Sequence, residues 1–326
     1  MRILNLLWPL LFPLTITVVL AISPWAYALN QRPSIRPSSL VTSPFSQLTY
    51  HKGPIMTGPS PINLYIIWYG VFSPMHKTTI TDFFASFNQA LNPKLDPTVS
   101  TWWKTTQFYK DAKGKSVSGT VRLLGEVSDV KCSLGKNLKR ASIAFLVKKM
   151  IANKTFLADP TAIYFVLTAS DVHVEQFCMN SCGFHNSVMV SPSQRVVYAH
   201  VGDPGTQCPG LCAWPYAAPA YGPPQVLVAP NGVGIDGMVM NVATILAGAA
   251  TNPFQTGYFQ GDALAPLEAL TACSGVFGEG AYSGYPGKLL MDSRNKASYN
   301  AYGVKGRKFL LPAMWDLLTK TCKVGA

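Results

Sequence analysis

The chain has 326 residues, of which 48% are hydrophobic and only 13% charged, with a formal net charge of +12. So much apolar material with so little charge excludes a disordered chain. The cationic excess points either to an anionic partner or to a basic surface kept for solubility. In chain order, Arg2, the apolar run from Ile3 to Ile22 and the small residues of Ala26-Tyr27-Ala28 make a secretory signal, with the cut placed after Ala28. Pro9, Pro13 and Pro24 interrupt the run and favour a cleaved signal over a membrane anchor. No later stretch reads as long and apolar enough to span a membrane, so the expectation is a soluble mature protein.

Residues 29–49 are rich in Ser, Pro and Arg without periodicity, and read as a flexible mature N-terminus. One domain is expected over residues 50–326, since no internal linker is visible. Asn63 to Tyr69 reads as a buried strand. Ile80, Phe83, Phe84, Phe87 and Leu91 set a helix over residues 77–91, closed by Pro93 and Pro97. A second helix is expected over 98–110, with Val99, Trp102, Trp103 and Phe108 as its apolar residues. Residues 117–127 alternate as a strand, and a helix over 138–152 presents Ile143, Leu146, Val147 and Met150. Ala162 to Thr168 is another continuous buried strand. Short strands follow at 187–190 and 195–201, then an Ala-, Met- and Val-rich helix over 235–250, ended by Pro253. The rest is Gly-rich and irregular, with a short apolar piece at Lys308–Leu311. Strands alternating with helices predict an α+β domain with a mixed sheet flanked by helices and a disulfide-bonded, irregular C-terminal half.

Seven cysteines are present. In the oxidising compartment that an export signal implies, most should pair. Cys178, Cys182, Cys208, Cys212, Cys273 and Cys322 are the disulfide candidates, and Cys132 is the one left over; the spacing leaves the connectivity open. Cys178-x3-Cys182-x2-His185 and Cys208-x3-Cys212 also resemble metal-ligand spacings, but oxidation to disulfides is favoured over structural zinc. No metal or other cofactor is expected.

Other motifs are weaker. There is no Gly-x-Ser-x-Gly elbow. Asp171 and His173 follow a buried strand, where sites are often built, although Asp171 can equally cap a turn. Gly275 to Gly280 lacks the flanking residues of a phosphate loop and reads as turn glycines. Asn153-Lys154-Thr155 is a glycosylation sequon at the end of a predicted helix. Trp68, Tyr69, Trp102 and Trp103 fall on core-facing elements. Trp214, Tyr216, Tyr221, Tyr282 and Tyr285 lie in Gly/Pro loops and could stack on sugars.

An ordered set of motifs carries a family resemblance. It runs through Tyr50-His51-x-Gly53, Ile67-Trp68-Tyr69-Gly70, Trp102-Trp103, Ser133-Leu134-Gly135-Lys136, Val166-Leu167-Thr168 and Gln207-Cys208-Pro209-Gly210-x-Cys212-Ala213-Trp214-Pro215. Thr251-Asn252-Pro253, Ala281-Tyr282-x-Gly284-Tyr285 and Gly306-Arg307-Lys308-Phe309-Leu310-Leu311-Pro312 complete it. The chain resembles the plant EXORDIUM-like, phosphate-induced protein family over residues 50–322. It departs from the family pattern at Ser293–Ser298 and at Asp316-Leu317-Leu318. The resemblance implies an apoplastic, cell-wall-associated protein linked to growth, cell expansion and brassinosteroid response, and brings no catalytic residues.

The stretch from Thr244 to Pro253 is also similar to a helix of secreted zincin-like proteins that reads His-Glu-Leu-Ala-Glu-Ala-x-Thr-Asp-Pro, and Glu268-x4-Cys273 to a later motif of theirs. Thr244 and Ile245 then stand at the His and Glu positions and Gly248 at the second Glu. This resemblance implies a degenerate zincin-like architecture in which zinc chemistry is lost.

The leading expectation is a non-enzymatic secreted growth regulator whose partner is acidic wall polysaccharide or a cell-surface protein, with no nucleic acid. The alternative is a hydrolase of wall glycan or peptide, with Glu268, Asp236, Asp171 and His173 as its polar groups. A third is a structural glycan-binding module built on the aromatic loops.

Overall fold

The computed structural model describes residues 47–326 apart from 90–94, 180, 222–225, 264 and 326. The export segment 1–28 with its cut after Ala28, nearly all of the 29–49 stretch, Leu91 and Pro93 lie outside the described residues. The described residues belong to one unit, Thr42–Ala326. Pairing begins at Thr49, within the stretch expected to be flexible: Thr49–Tyr50 pairs antiparallel with Tyr258–Phe259.

The apolar run near residue 65 forms β1 (Ile62–Tyr69), whose side chains are buried at every position but Asn63. Such a run suits a central strand covered on both faces. Ser73 then accepts a hydrogen bond from the His76 amide at 3.1 Å and Pro74 occupies the first turn, so α1 spans Pro74–Ser86. The cap chemistry places this helix ahead of its expected start. Its Ile80, Phe83 and Phe84 are buried, as is Phe87 just beyond it.

Thr98 and Thr101 form a reciprocal cap that starts α2 (Val99–Trp103), after which the backbone tightens into a 3-10 turn over Lys104–Phe108. One continuous α-helix to Lys110 was expected. The tightening turns Phe108 outward to 40% exposure, while Trp102 and Trp103 stay buried. Their indoles donate to Pro312 O at 2.8 Å and Ser118 O at 3.0 Å. Trp68 is likewise buried and donates to Glu126 at 2.9 Å.

Five more elements follow: β2 (Val121–Asp129), α3 (Arg140–Ala152), β3 (Ala162–Thr168), and the hairpin β4 (Gly183–Ser191) and β5 (Gln194–Gly202). The sheet order is β2-β1-β3-β5-β4. β1 pairs parallel with β2 and β3, and β3 with β5; only the edge strand β4 runs antiparallel. The sheet is therefore mixed, and the α+β expectation holds. β2, at the other edge, alternates as expected, with Arg122, Glu126 and Ser128 exposed.

The last long helix is α4 (Val233–Thr251), with 15 of its residues buried. By length and composition it could cross a membrane, contrary to the sequence expectation for this part of the chain. It is apolar because it is a core helix. On β4, Phe184 carries the Arg140 guanidinium of α3 at 4.4 Å, whereas Gly183 and His185 face Ile245 and Gly248 of α4. Successive strand residues point to opposite faces, so α3 and α4 cover opposite sides of the sheet.

The remainder is made of two- and three-residue ribbons, such as Ala301–Tyr302 with Lys308–Phe309 and Met314–Asp316 with Thr321–Lys323. A polar chain ties it to the helices. Asp82 of α1 accepts from Lys305 at 2.9 Å and Arg307 at 3.1 Å. Arg307 also donates to Asn231 Oδ1 at 3.0 Å, and Asn231 donates to both oxygens of Asp236 at 2.7 Å.

Burial pushes the Asp236 carboxyl up from 3.8 to about 7, against the pull of Asn231 and Arg307. The folded state therefore holds this proton where the unfolded chain releases it. Stability should fall as the pH rises from about 4 to about 7, by roughly 4 kcal/mol from this group, and should level off above that range. Urea unfolding of the wild type and Asp236→Asn across that range should show this slope in the wild type alone. Equal slopes in the two proteins would contradict the assignment.

Candidate functional site

Among the described residues, the one ion pair between a His and a carboxylate lies between α4 and β4. Gly248 leaves a gap on the helix, and a β-carbon there would overlap Glu268 Oε2 and stand 3.1 Å from His185 Nε2. Into the gap come Glu268, from the loop after α4, and His185, from β4. His185 Nε2 lies 2.9 Å from both carboxylate oxygens, which requires that nitrogen to carry the proton. Asn252, at the helix C-cap, donates to Glu268 Oε1 at 2.7 Å and accepts from the Gly257 amide at 2.8 Å. The Glu268 amide in turn donates to Thr271 Oγ1 at 2.7 Å.

The His185 and Glu268 side chains are 5% and 9% accessible. His185 Nδ1 is buried with no hydrogen-bond partner among the described residues. The cluster thus pins the helix end, the edge strand and the 252–273 loop to one another.

The zincin-like positions fall around this cluster. The Thr244 hydroxyl donates to Met240 O of its own helix, and Ile245 is buried beside Gly183. Neither can ligate a metal or activate water. Zinc asks for three or four N, O or S ligands. Among the described residues no three His, Cys, Asp or Glu side chains gather, so the residues present do not fit that metal. The sequence reading reached Glu268 and Gly248 but missed the roles of His185, read only within a cysteine spacing, and of Asn252, read only within a motif.

The four polar groups named for a hydrolase do not meet. Asp236 sits in the first turn of α4, about 18 Å along the axis from Gly248 at the helical rise of about 1.5 Å per residue. Asp171 lies beyond the C-terminal end of β3, in an exposed ion pair with Lys136, whose hydrogen bond holds the carboxyl below its ordinary range. His173 is exposed in a two-residue strand that pairs with Asn137.

In a parallel sheet the crevice above the strand ends, where the order reverses, is a common binding place. Here it lies between β1 and β3 and is filled. Tyr69 OH donates to Gly135 O at 2.7 Å and accepts from the Leu134 amide at 2.9 Å, and Gly70 packs directly against Ala169.

The six paired cysteines form Cys178–Cys208, Cys182–Cys212 and Cys273–Cys322, leaving Cys132 free and buried. The first two staple the entry to β4 onto the short helix Pro209–Cys212. Of the loop aromatics, Tyr216 is buried and donates to Ser298 O at 2.5 Å, and Trp214 packs on Phe277. Tyr221, Tyr282 and Tyr285 are exposed. Asn153 is exposed at the C-cap of α3.

Residues 48–325 match the family model described as the phosphate-induced protein 1 conserved region. The chain belongs to the phosphate-induced protein family. It is 46% identical over 292 residues to Protein PHOSPHATE-INDUCED 1 of Nicotiana tabacum, covering 87% of this chain and 90% of that protein. It is 46% identical over 288 residues to Protein EXORDIUM of Arabidopsis thaliana, covering 85% and 89%. To Protein EXORDIUM-like 2 of Arabidopsis thaliana it is 45% identical over 283 residues, covering 85% and 88%. No solved structure matches the chain. In this phosphate-induced family member, the quoted Trp102-Trp103, Val166-Leu167-Thr168 and Thr251-Asn252-Pro253 motifs are core and cap residues.

Proposed function

We propose that this phosphate-induced family member is a secreted apoplastic protein that associates with the cell wall and regulates growth and cell expansion, in a brassinosteroid-linked response, without catalysing a reaction. Three disulfides support an oxidising, extracellular setting, where such bonds form and persist. The observation that carries the partner is the charge of one stretch. Residues 131–154 hold Lys131, Lys136, Lys139, Arg140, Lys148, Lys149 and Lys154 and no carboxylate.

Lys136 is neutralised by Asp171, and Arg140 lies over Phe184. Lys149 and its neighbours partly serve the negative end of the α3 dipole. Lys131 and Lys139 lie outside that last turn and are exposed, as are Lys148 and Lys154. These exposed cations suit an acidic wall polysaccharide, with an acidic cell-surface protein as the other partner class. A glycan on Asn153 would border them.

Retention on immobilised polygalacturonate should weaken steadily as salt is raised. Replacing Lys139, Lys148, Lys149 and Lys154 together by Glu should cut affinity about tenfold or more and flatten the salt response. Retention insensitive to both salt and these changes would reject the reading.

A further inference from the structure

The tightened turn after α2 leaves the Phe108 ring 40% exposed, and cations flank it. Lys104 precedes it in the same turn, Lys110 follows it, and the Lys323 ammonium of the last ribbon stands 5.8 Å from its centre. Lys113 and Lys115 extend the cationic run into the hairpin that comes next. Lys104, Lys110, Lys113 and Lys115 are all exposed. Among the described residues none of these five lysines has an ion pair.

The hairpin holds its charges outward. Asp111 is the only carboxylate of residues 104–115. Its Oδ1 accepts from the amides of Lys113 and Lys115, each at 2.8 Å, and its Oδ2 from the Thr57 hydroxyl at 3.3 Å. The carboxylate is engaged by its own turn rather than by a lysine ammonium. Gly114, with a φ of 75°, closes that turn, and its amide donates to Asp111 O at 2.9 Å. At the root, Tyr109 and Val117 are buried, and Val117 N donates to Tyr109 O at 2.9 Å.

We propose that Phe108, Lys323 and this hairpin form a second contact for an acidic polysaccharide, one that joins stacking to charge. It rests on the polyanion reading above and adds a separate place for it. An exposed phenyl face suits the C–H face of a pyranose ring, and the lysines beside it suit the carboxylates of that sugar and its neighbours. β2 lies between this place and Lys131: nine residues at ~3.3 Å each, or about 30 Å. A long polymer chain that reaches both ends is held by two contacts at once. Because the hairpin is braced before any ligand arrives, little ordering cost opposes binding.

The test is retention of the full secreted chain on immobilised polygalacturonate as salt is raised in steps. Lys110→Gln/Lys113→Gln/Lys115→Gln should lose about tenfold in affinity and respond less to salt than wild type. Phe108→Ala should lose about threefold while keeping the wild-type salt response, a split that a surface acting by charge alone would not give. These side chains are exposed, so urea midpoints of both variants should match wild type. The same losses should recur in the background of the lysine-to-glutamate variant of the α3 stretch, since the two contacts act independently. Hairpin and Phe108 variants retained as strongly as wild type would overturn this proposal and leave the α3 reading standing. A wild type that is not retained at all would overturn both.

Discussion

Glu268→Ala should lower the stability of the fold by about 3–4 kcal/mol, among the largest effects expected of any single polar change. The carboxylate accepts from His185 and from Asn252 at 2.7–2.9 Å, all three within the packed join of α4, β4 and the following loop. Alanine removes the acceptor and leaves two buried N–H groups without one. Glu268→Gln keeps a carbonyl oxygen within reach of both donors but loses the charge and sets an amide NH2 against the His185 N–H, and should cost about half as much. His185→Ala in the Glu268→Ala background should add little, because the interaction is already gone. A double-mutant cycle from urea midpoints reads that coupling directly.

Gly248→Ala gives an independent check, since its β-carbon must displace the same carboxylate. If Glu268→Ala shifts stability by less than about 1 kcal/mol, the cluster is not the join described here.

The same residues show what the sequence could reveal. Continuous apolar runs such as Ala162–Thr168 are legible because a strand buried on both faces has no polar side to hide. Helix starts were less so: α1 begins where Ser73 and Pro74 supply cap chemistry, not where the apolar spacing begins. His185 and Glu268 are 83 residues apart, and nothing local marks them as partners. Only the sheet order, which places β4 at the edge beneath α4, brings them together. Gly248 carried the nearest signal. A glycine inside an otherwise apolar helix implies a close approach, though not what approaches. Asp236 was likewise visible as a carboxylate, but its neighbours come from Asn231 and from Arg307 of a distant ribbon. Trp214, Tyr216, Tyr282 and Tyr285 looked alike in the sequence. The packing of the ribbons alone decides which of them faces water.

The disulfides set the other large effect, and their interleaving makes it unequal. Cys178–Cys208 and Cys182–Cys212 each span 30 residues, but they join the same two segments. While one is intact, breaking the other opens only the small ring between them. In the chain-entropy description that should cost about 2.5 kcal/mol, whereas removing the second as well opens a loop of some thirty residues and should cost a further 3.5 kcal/mol or so. Cys273–Cys322 spans 49 residues on its own, tying Cys273 to the last strand, and its loss should cost about 4 kcal/mol. Serine replacements in pairs, unfolded in urea without reductant, measure each step. Cys132 should not confuse the result: it is buried, and burial pushes its thiol up, away from the reactive thiolate. The expected order is a modest loss for Cys182→Ser/Cys212→Ser, a larger one for Cys273→Ser/Cys322→Ser, and the largest for the four-serine variant lacking both interleaved bridges. Should the two interleaved bridges prove additive, each worth as much as the isolated one, the entropic account fails, and strain or packing at Cys182 and Cys212 would have to carry the difference.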